Sequence, residues 1–322
     1  MKIGVLGAGH LGKIHLKCLA ETPFEIVGFY DASAQVADAV SQSIGIKSFT
    51  CLDTLIEACD CLDIVTPTLT HYDLALKAVK AGKHIFIEKP VTETPEQAAL
   101  LMDLATESGI KIQVGHVERY NPGYTALQEQ FINPGFIEGH RLSVFNPRGT
   151  DVSVVLDLMI HDLDIILNIV KSPAKNVYAN GVCVVSPTPD ICNARIQFEN
   201  GCVANLTASR ISLKNMRKMR IFQRDAYIGI DFLNKEAQIV KMENAGDDDK
   251  ISGMTLDTNE GKKRIIMETF PKTESNAIRD ELNDFYAAVS EDRPVTVSIQ
   301  DGYRALKLAY DIQKQIETQH YV

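Results

Sequence analysis

The alternation of apolar and polar positions changes character near residue 120. Before that point, short β-branched runs alternate with stretches whose apolar residues recur at helical spacing. The pattern predicts strands at 2–6, 25–30, 62–66, 84–87 and 111–114. It predicts helices that include 11–20, 52–58, 71–81 and 95–108, with Gly82 as a helix stop. Strand–helix alternation of this kind builds βαβ units and a parallel sheet. Beyond residue 120 a helix at 124–130 leads to a long strand, 136–146. A further helix and a series of period-2 strands follow, at 177–184, 193–199, 202–210, 217–223, 226–231, 237–241 and 264–269. The polar stretch 243–263 reads as an exposed loop. Two terminal helices, 275–290 and 301–317, take Ser275 and Asp301 as candidate N-caps. The domains expected are 1–119 and 120–322.

The helix at 154–170, VVLDLMIHDLDIILNIV, is apolar nearly all round, which marks a buried helix. It nevertheless places Asp157, His161, Asp164 and Asn168 in one stripe about 60° wide at α-helical geometry. Buried ionisable groups are costly unless paired or used. The stripe is therefore either the wall of a polar cavity or a structural carboxylate–histidine pair in a wet core.

Gly7-Ala8-Gly9-His10-Leu11-Gly12 follows the first strand and opens a helix, the context in which a G-x-G-x-x-G run binds a dinucleotide. Gly7 allows the tight turn, Gly9 the approach of a pyrophosphate, and Gly12 close helix–strand packing. Asp31 ends the second strand, where a ribose-binding acid belongs; its charge would repel a 2′-phosphate, so NAD is expected over NADP. Thr66-Pro67-Thr68 and His71 fall at a strand's C-terminal end, where ligands of open α/β sheets bind. Glu88-Lys89-Pro90 ends another strand and would send Lys89 into the same crevice. A surface ring at His71 and an exposed Glu88–Lys89 turn are the bland alternatives.

Composition narrows the class. The 322 residues carry a formal net charge of −9, which argues against nucleic acid and acidic membranes as partners. Of seven cysteines only Cys51, Cys59 and Cys61 cluster, without a C-x-x-C pair, so no metal is expected and reduced thiols are the simpler account. No apolar run has the length of a signal peptide or membrane span. A soluble cytoplasmic protein is expected.

Taken together, TPTLTHYDLALKAVKAGKHIFIEKP, the glycine fingerprint before it and Asp157-x-x-x-His161-x-x-Asp164 after it resemble the Gfo/Idh/MocA oxidoreductases. One departure is Met159, where many members have glycine. The resemblance implies a Rossmann-type doubly wound parallel sheet, followed by an α+β domain with an open, mostly antiparallel sheet. That sheet's free face commonly forms homodimers or homotetramers. It also implies catalytic roles for Lys89, Asp157 and His161, and NAD contacts from Gly7, Gly9, His10, Leu11, Gly12, Asp31, Thr66, Pro67, Thr68, His71, Glu88 and Lys89. VGHVERYNPGY and PRGTDVSVVLDLMIHDLD look like the branch acting on nucleotide-linked amino sugars, the UDP-N-acetylglucosamine 3-dehydrogenases. The expected reaction is hydride transfer from a sugar's secondary hydroxyl, the 3-hydroxyl of a UDP-linked N-acetylhexosamine. Asp157 and His161 would also touch substrate. Arg119, Tyr120, Asn121 and Arg148 are further substrate candidates, because an arginine fork suits a diphosphate; each is equally a surface or interface residue. An inositol or polyol dehydrogenase remains the alternative enzyme, and a non-catalytic NAD-binding regulator the alternative class.

Overall fold

The computed structural model describes residues 1–146, 152–244, 254–259, 261–270 and 273–318. The chain forms two compact units, Met1–Tyr120 with Asn276–Lys307, and Asn121–Ser275 with Leu308–Val322.

In the first unit the order is β1 (Lys2–Leu6), α1 (His10–Leu19), β2 (Glu25–Tyr30), α2 (Ala34–Ile44), β3 (Ser48–Phe49), α3 (Leu52–Ala58), β4 (Cys61–Ile64), α4 (His71–Lys80), β5 (His84–Glu88), α5 (Pro95–Ser108) and β6 (Ile112–Gly115). The strands lie in the order β3-β2-β1-β4-β5-β6, all parallel. This is the doubly wound order, which reverses beside β1 and opens a crevice at the strands' C-terminal ends. Local chemistry sets the helix ends. Thr94 and Gln97 form a reciprocal capping box around Pro95, and Gly109 closes α5 with φ 68°. Ser33 caps α2 by accepting from the Val36 N–H. Each such cap contributes about 1 kcal/mol.

The contact pattern divides the chain differently from a single boundary at 119/120. After the second unit's sheet, α8 (Ala277–Ser290) returns to the first unit. Its Leu282 and Phe285 are fully buried in the core that holds Ile3, Leu16, Phe29 and Phe86. Its N-cap is Asn276, which accepts from the Ile278 and Arg279 N–H groups, rather than Ser275. The last helix, α9 (Ile299–Glu317), starts two residues before the expected Asp301. Ser298 and Asp301 cap it reciprocally, Ser298 N–H to Asp301 Oδ2 at 2.9 Å and Asp301 N–H to Ser298 Oγ at 3.2 Å.

The second unit runs α6 (Pro122–Thr125), β7 (Phe136–Leu142), a π-helical turn (Val155–Met159), α7 (Ile160–Val170), β8 (Ala174–Val182), β9 (Ile191–Phe198), β10 (Val203–Ser209), β11 (Met216–Gln223), β12 (Ala226–Asp231), β13 (Glu236–Asn244), β14 (Met254–Thr258) and β15 (Gly261–Phe270). Its nine-stranded sheet has the order β14-β15-β13-β12-β11-β7-β10-β9-β8 and is antiparallel except between β7 and β10. Alternate residues of β7, β9 and β10 are buried. Leu163, Ile166 and Val170 of α7 share their core with Ile137, Ile196, Leu206 and Ile221 of the sheet, and with Ile312 of α9.

Three expectations change here. The helix expected at 124–130 is only Pro122–Thr125, followed by turns, because Asn121 caps it and Pro122 starts it early. The stretch expected as a loop, 243–263, contains the end of β13, β14 and the start of β15; its residues 245–253 and 260 lie outside the described residues. An exposed edge strand such as β14 carries polar residues and reads as loop. The helix at 154–170 begins with a π turn rather than a regular α-helix.

Candidate active site

The glycine turn is built for close approach. Gly7 has φ 97°, in the left-handed region, and its N–H donates to the Tyr30 carbonyl at 2.9 Å. A Cβ on Gly12 would lie 2.1 Å from the Gly7 carbonyl oxygen, so only hydrogen fits there. A Cβ on Gly9 would meet nothing within 4 Å. Gly9 is the N-cap of α1 and supplies no side-chain cap, so the helix's first N–H groups are left to a ligand. His10 is exposed beside it and Leu11 half-buried. Asp31 ties the turn to the end of β2: Oδ2 accepts from the Ala8 N–H at 2.8 Å and Oδ1 from the Ser33 N–H at 2.9 Å. Open space above Gly9, uncapped helix N–H groups and a half-buried carboxylate at β2 fit the pyrophosphate and ribose of NAD.

Two further loops lie at the ends of β4 and β5. Thr70 Oγ1 donates to Pro67 O, and lies 2.8 Å from Thr66 Oγ1, which shapes the turn containing Thr68. His71 is buried, not at the surface. Its Nδ1 lies 2.9 Å from the Pro90 carbonyl and its Nε2 2.8 Å from the Thr66 carbonyl. The ring thus clamps the two loops together. Burial pushes the His71 pKa down, against the two carbonyls that favour a second ring proton. Glu88 is likewise buried rather than in an exposed turn, and its Oε2 accepts the Lys89 backbone N–H at 3.1 Å. Burial alone would raise the Glu88 carboxyl, but His15 and Lys89 hold it below the usual range. Lys89 itself is half-buried, and the Lys89–Pro90 peptide is cis.

Sequence reasoning missed the residues behind Glu88. His15 of α1 has Nδ1 3.0 Å from Asp63 Oδ2 and Nε2 3.2 Å from Glu88 Oε1. Asp63 and His15 are both fully buried. The available signal was a charged residue inside the apolar strand CLDIV and a histidine on the buried face of α1.

In the second unit, Asp157 lies in the π turn and His161 in the first turn of α7, both half-buried. A π turn inserted in a helix commonly accompanies a functional site. The rest of the expected stripe is occupied structurally or buried. Asn168 donates to Tyr124 Oη at 2.5 Å, and Asp164 is 1% exposed. The neighbouring Asp162, outside the stripe, forms a buried two-pronged pair with Arg141, Nε to Oδ2 at 3.0 Å and Nη2 to Oδ1 at 2.8 Å.

The expected substrate contacts fare differently. Arg119 is buried, with Nη2 3.9 Å from Asp301 Oδ1. Tyr120 donates its hydroxyl to Asp284 Oδ2 at 2.6 Å and accepts from Gln113 Nε2 at 3.2 Å. Burial and the Asp284 charge push its phenol up. Asn121 caps α6 and donates to the Phe232 carbonyl at 2.9 Å. All three have partners inside their own units. Arg148 lies outside the described residues.

Residues 1–116 match the family model "Oxidoreductase family, NAD-binding Rossmann fold", and residues 134–228 match the "GFO/IDH/MocA C-terminal domain". The UDP-N-acetylglucosamine 3-dehydrogenase of Acidithiobacillus ferrooxidans is 35% identical over 98% of this chain and 97% of its own. The chain belongs to the Gfo/Idh/MocA oxidoreductase family. A solved structure of that same 3-dehydrogenase superposes with a TM-score of 0.89, covering 98% of this chain and 97% of that one. The inositol 2-dehydrogenase of Rhizobium meliloti is 26% identical over 96% of this chain and 94% of its own. A scyllo-inositol dehydrogenase from Lactobacillus casei, solved with NAD(H) and scyllo-inositol, shares the fold at 21% identity and TM-score 0.78, covering 98% of this chain and 97% of that one. This family member is accordingly an NAD-dependent dehydrogenase. Among the described residues no helix is long and apolar enough to cross a membrane.

Proposed function

We propose that this enzyme oxidises the sugar 3-hydroxyl of UDP-N-acetylglucosamine to a ketone. The reading is carried by full-length similarity to the Acidithiobacillus ferrooxidans enzyme of that name. NAD, when bound, accepts the hydride from the sugar carbon. The chain's own residues handle the proton and the charge. His161 takes the hydroxyl proton, because an imidazole titrates near the working pH. Asp157, four residues earlier, orients the ring. Lys89 stabilises the negative charge developing on the reacting oxygen. Arg119 and Arg148 are the arginines we assign to the diphosphate. We assign 1–119 to NAD and 120–322 to substrate and assembly, with α8 serving the first of these from the second segment. The enzyme works in the cytoplasm as a homodimer or homotetramer formed through the nine-stranded sheet.

A screen of NADH formation with UDP-N-acetylglucosamine, free inositols and hexoses tests the substrate. UDP-N-acetylglucosamine is expected to exceed the free sugars by about ten- to a hundredfold in kcat/KM, the worth of a charged diphosphate contact. Equal turnover of free inositol would transfer the reading to a polyol dehydrogenase, which the Rhizobium relative represents. His161→Asn is expected to lower kcat by about 10²–10⁴ while NADH binding stays within about twofold.

A further inference from the structure

Behind the end of β5, ionisable side chains from four elements of the first unit are buried together. They are His15 from α1, Asp63 from β4, Glu88 from β5 and Glu281 from α8. Ligand-capable atoms of His15, Glu88 and Glu281 all lie within 4.8 Å of one another. Gln113 of β6 closes the group: its amide Nε2 donates to the Glu281 carbonyl at 2.8 Å and to Tyr120 Oη at 3.2 Å. Gly115 makes room for it, since a Cβ there would lie 2.8 Å from Glu88 Oε1. Both carboxyl oxygens of Glu281 are buried without a hydrogen-bond partner among the described residues, and the residue is 0% exposed.

The charges in this group are ordered by what each one faces. Three ionised carboxylates around one imidazole would leave net negative charge out of water, which is strongly disfavoured. Glu281 relieves it. Burial, with Glu88 and Asp63 nearby, pushes its pKa well up, towards the uncharged form. Burial alone would lower His15, but Asp63 and Glu88 raise it well above its usual value. Burial also lifts Asp63, so the Asp63–His15 pair holds its proton firmly. Asp63, His15 and Glu88 thus stand in line, ending on the Lys89 backbone N–H.

We propose that His15, Asp63 and Glu281 are positioning residues for Lys89, acting through Glu88. Asp63 fixes the His15 ring. His15 holds the Glu88 carboxylate on one side while Glu281 occupies the space beside it. Glu88 in turn anchors the backbone from which the Lys89 side chain departs. The inference rests on the reading of Lys89 as the group that stabilises the reacting oxygen.

A double-mutant cycle on the NAD-loaded enzyme tests it, with the sugar that turns over in the screen above. His15→Asn keeps a donor towards Asp63 and removes the nitrogen that faces Glu88. It is expected to lower kcat about ten- to a hundredfold, the worth of a buried charged contact, with NADH affinity and substrate KM within about threefold. In a Lys89→Ala background the same change should alter kcat less than about twofold. An equal loss of kcat with or without Lys89 would make the cluster merely structural and overturn the proposal. Should His15→Asn not fold, Glu88→Gln takes its place, since the amide oxygen still accepts the Lys89 N–H. If Lys89→Ala by itself leaves kcat intact, the reading of Lys89 fails instead. Independently of turnover, Glu281→Gln keeps the side chain's size and, with the Glu281 pKa raised, should leave Tm within about 2 °C at neutral pH, whereas loss of a charged partner would shift it further. A stoichiometric divalent metal in the purified protein, measured by mass spectrometry, would make His15, Glu88 and Glu281 ligands and also overturn it.

Discussion

The same substitution three residues apart in the glycine turn should have two unrelated effects. A Cβ on Gly12 would sit 2.1 Å from the Gly7 carbonyl oxygen and 2.9 Å from its carbon. Those are backbone atoms, so relief requires α1 to move away from the turn. Overpacking of this kind costs about 1–3 kcal/mol or more. At about 2–4 °C of Tm per kcal/mol, Gly12→Ala should lose roughly 6–12 °C at the upper end of that cost. A Cβ on Gly9 meets nothing, and its φ of −64° is one that alanine adopts freely. The weaker N-cap offered by alanine costs about 0.5–1 kcal/mol, and the lower unfolded-state entropy returns a similar amount. Gly9→Ala should therefore melt within a few degrees of wild type. The new methyl instead projects where the pyrophosphate approaches, and losing one charged hydrogen bond there costs about 1.5–3 kcal/mol, or ten- to a hundredfold in affinity. Calorimetry gives the first number and titration of NADH fluorescence the second. Unchanged NADH affinity in Gly9→Ala, or an unchanged Tm in Gly12→Ala, would refute the account of the turn.

Asp31→Ser should lower NAD efficiency and raise NADP efficiency in steady-state kinetics, because it removes the carboxylate that repels a 2′-phosphate; an undiminished preference for NAD would place cofactor choice elsewhere. Asp162→Ala strands the buried Arg141 guanidinium and should cost about 3–5 kcal/mol in denaturant unfolding, while Arg141→Met with Asp162→Leu should cost much less. Equal losses from the single and paired changes would count against that assignment. Asp190 is fully buried, and although burial alone would raise its pKa, N–H groups of Val184, Val185 and Ser186 on Oδ2 bring it down to about 2. A depressed folded pKa contributes stability above the unfolded value that is lost as pH falls through the folded one. The wild type should therefore lose stability between about pH 4 and pH 2, and Asp190→Asn should show a smaller change over that window.

The sequence by itself determined the parts of this protein that depend on local geometry. The glycine turn, Asp31 at the end of β2, and the strand–helix alternation of the first unit are short-range patterns, and a period of 2 or 3.6 reports them directly. The motifs around Glu88-Lys89-Pro90 and Asp157-x-x-x-His161, which mark the family, are likewise local in sequence. What only the tertiary structure decided concerns which ionisable groups meet. Asp63 and Glu281 are 218 positions apart in sequence, yet both belong to the group behind Glu88, because α8 leaves the second unit's segment and packs in the first unit's core. The Asp301 carboxylate beside Arg119 comes from a segment 182 positions away. Asn168 read as part of a polar stripe until Tyr124 took its amide. β14 was invisible, since the exposed edge of a sheet requires polar residues that also suit a loop. Periodicity reports the direction in which a side chain points. The partner waiting there, and hence whether a charge is structural or available for chemistry, is set by segments distant in sequence.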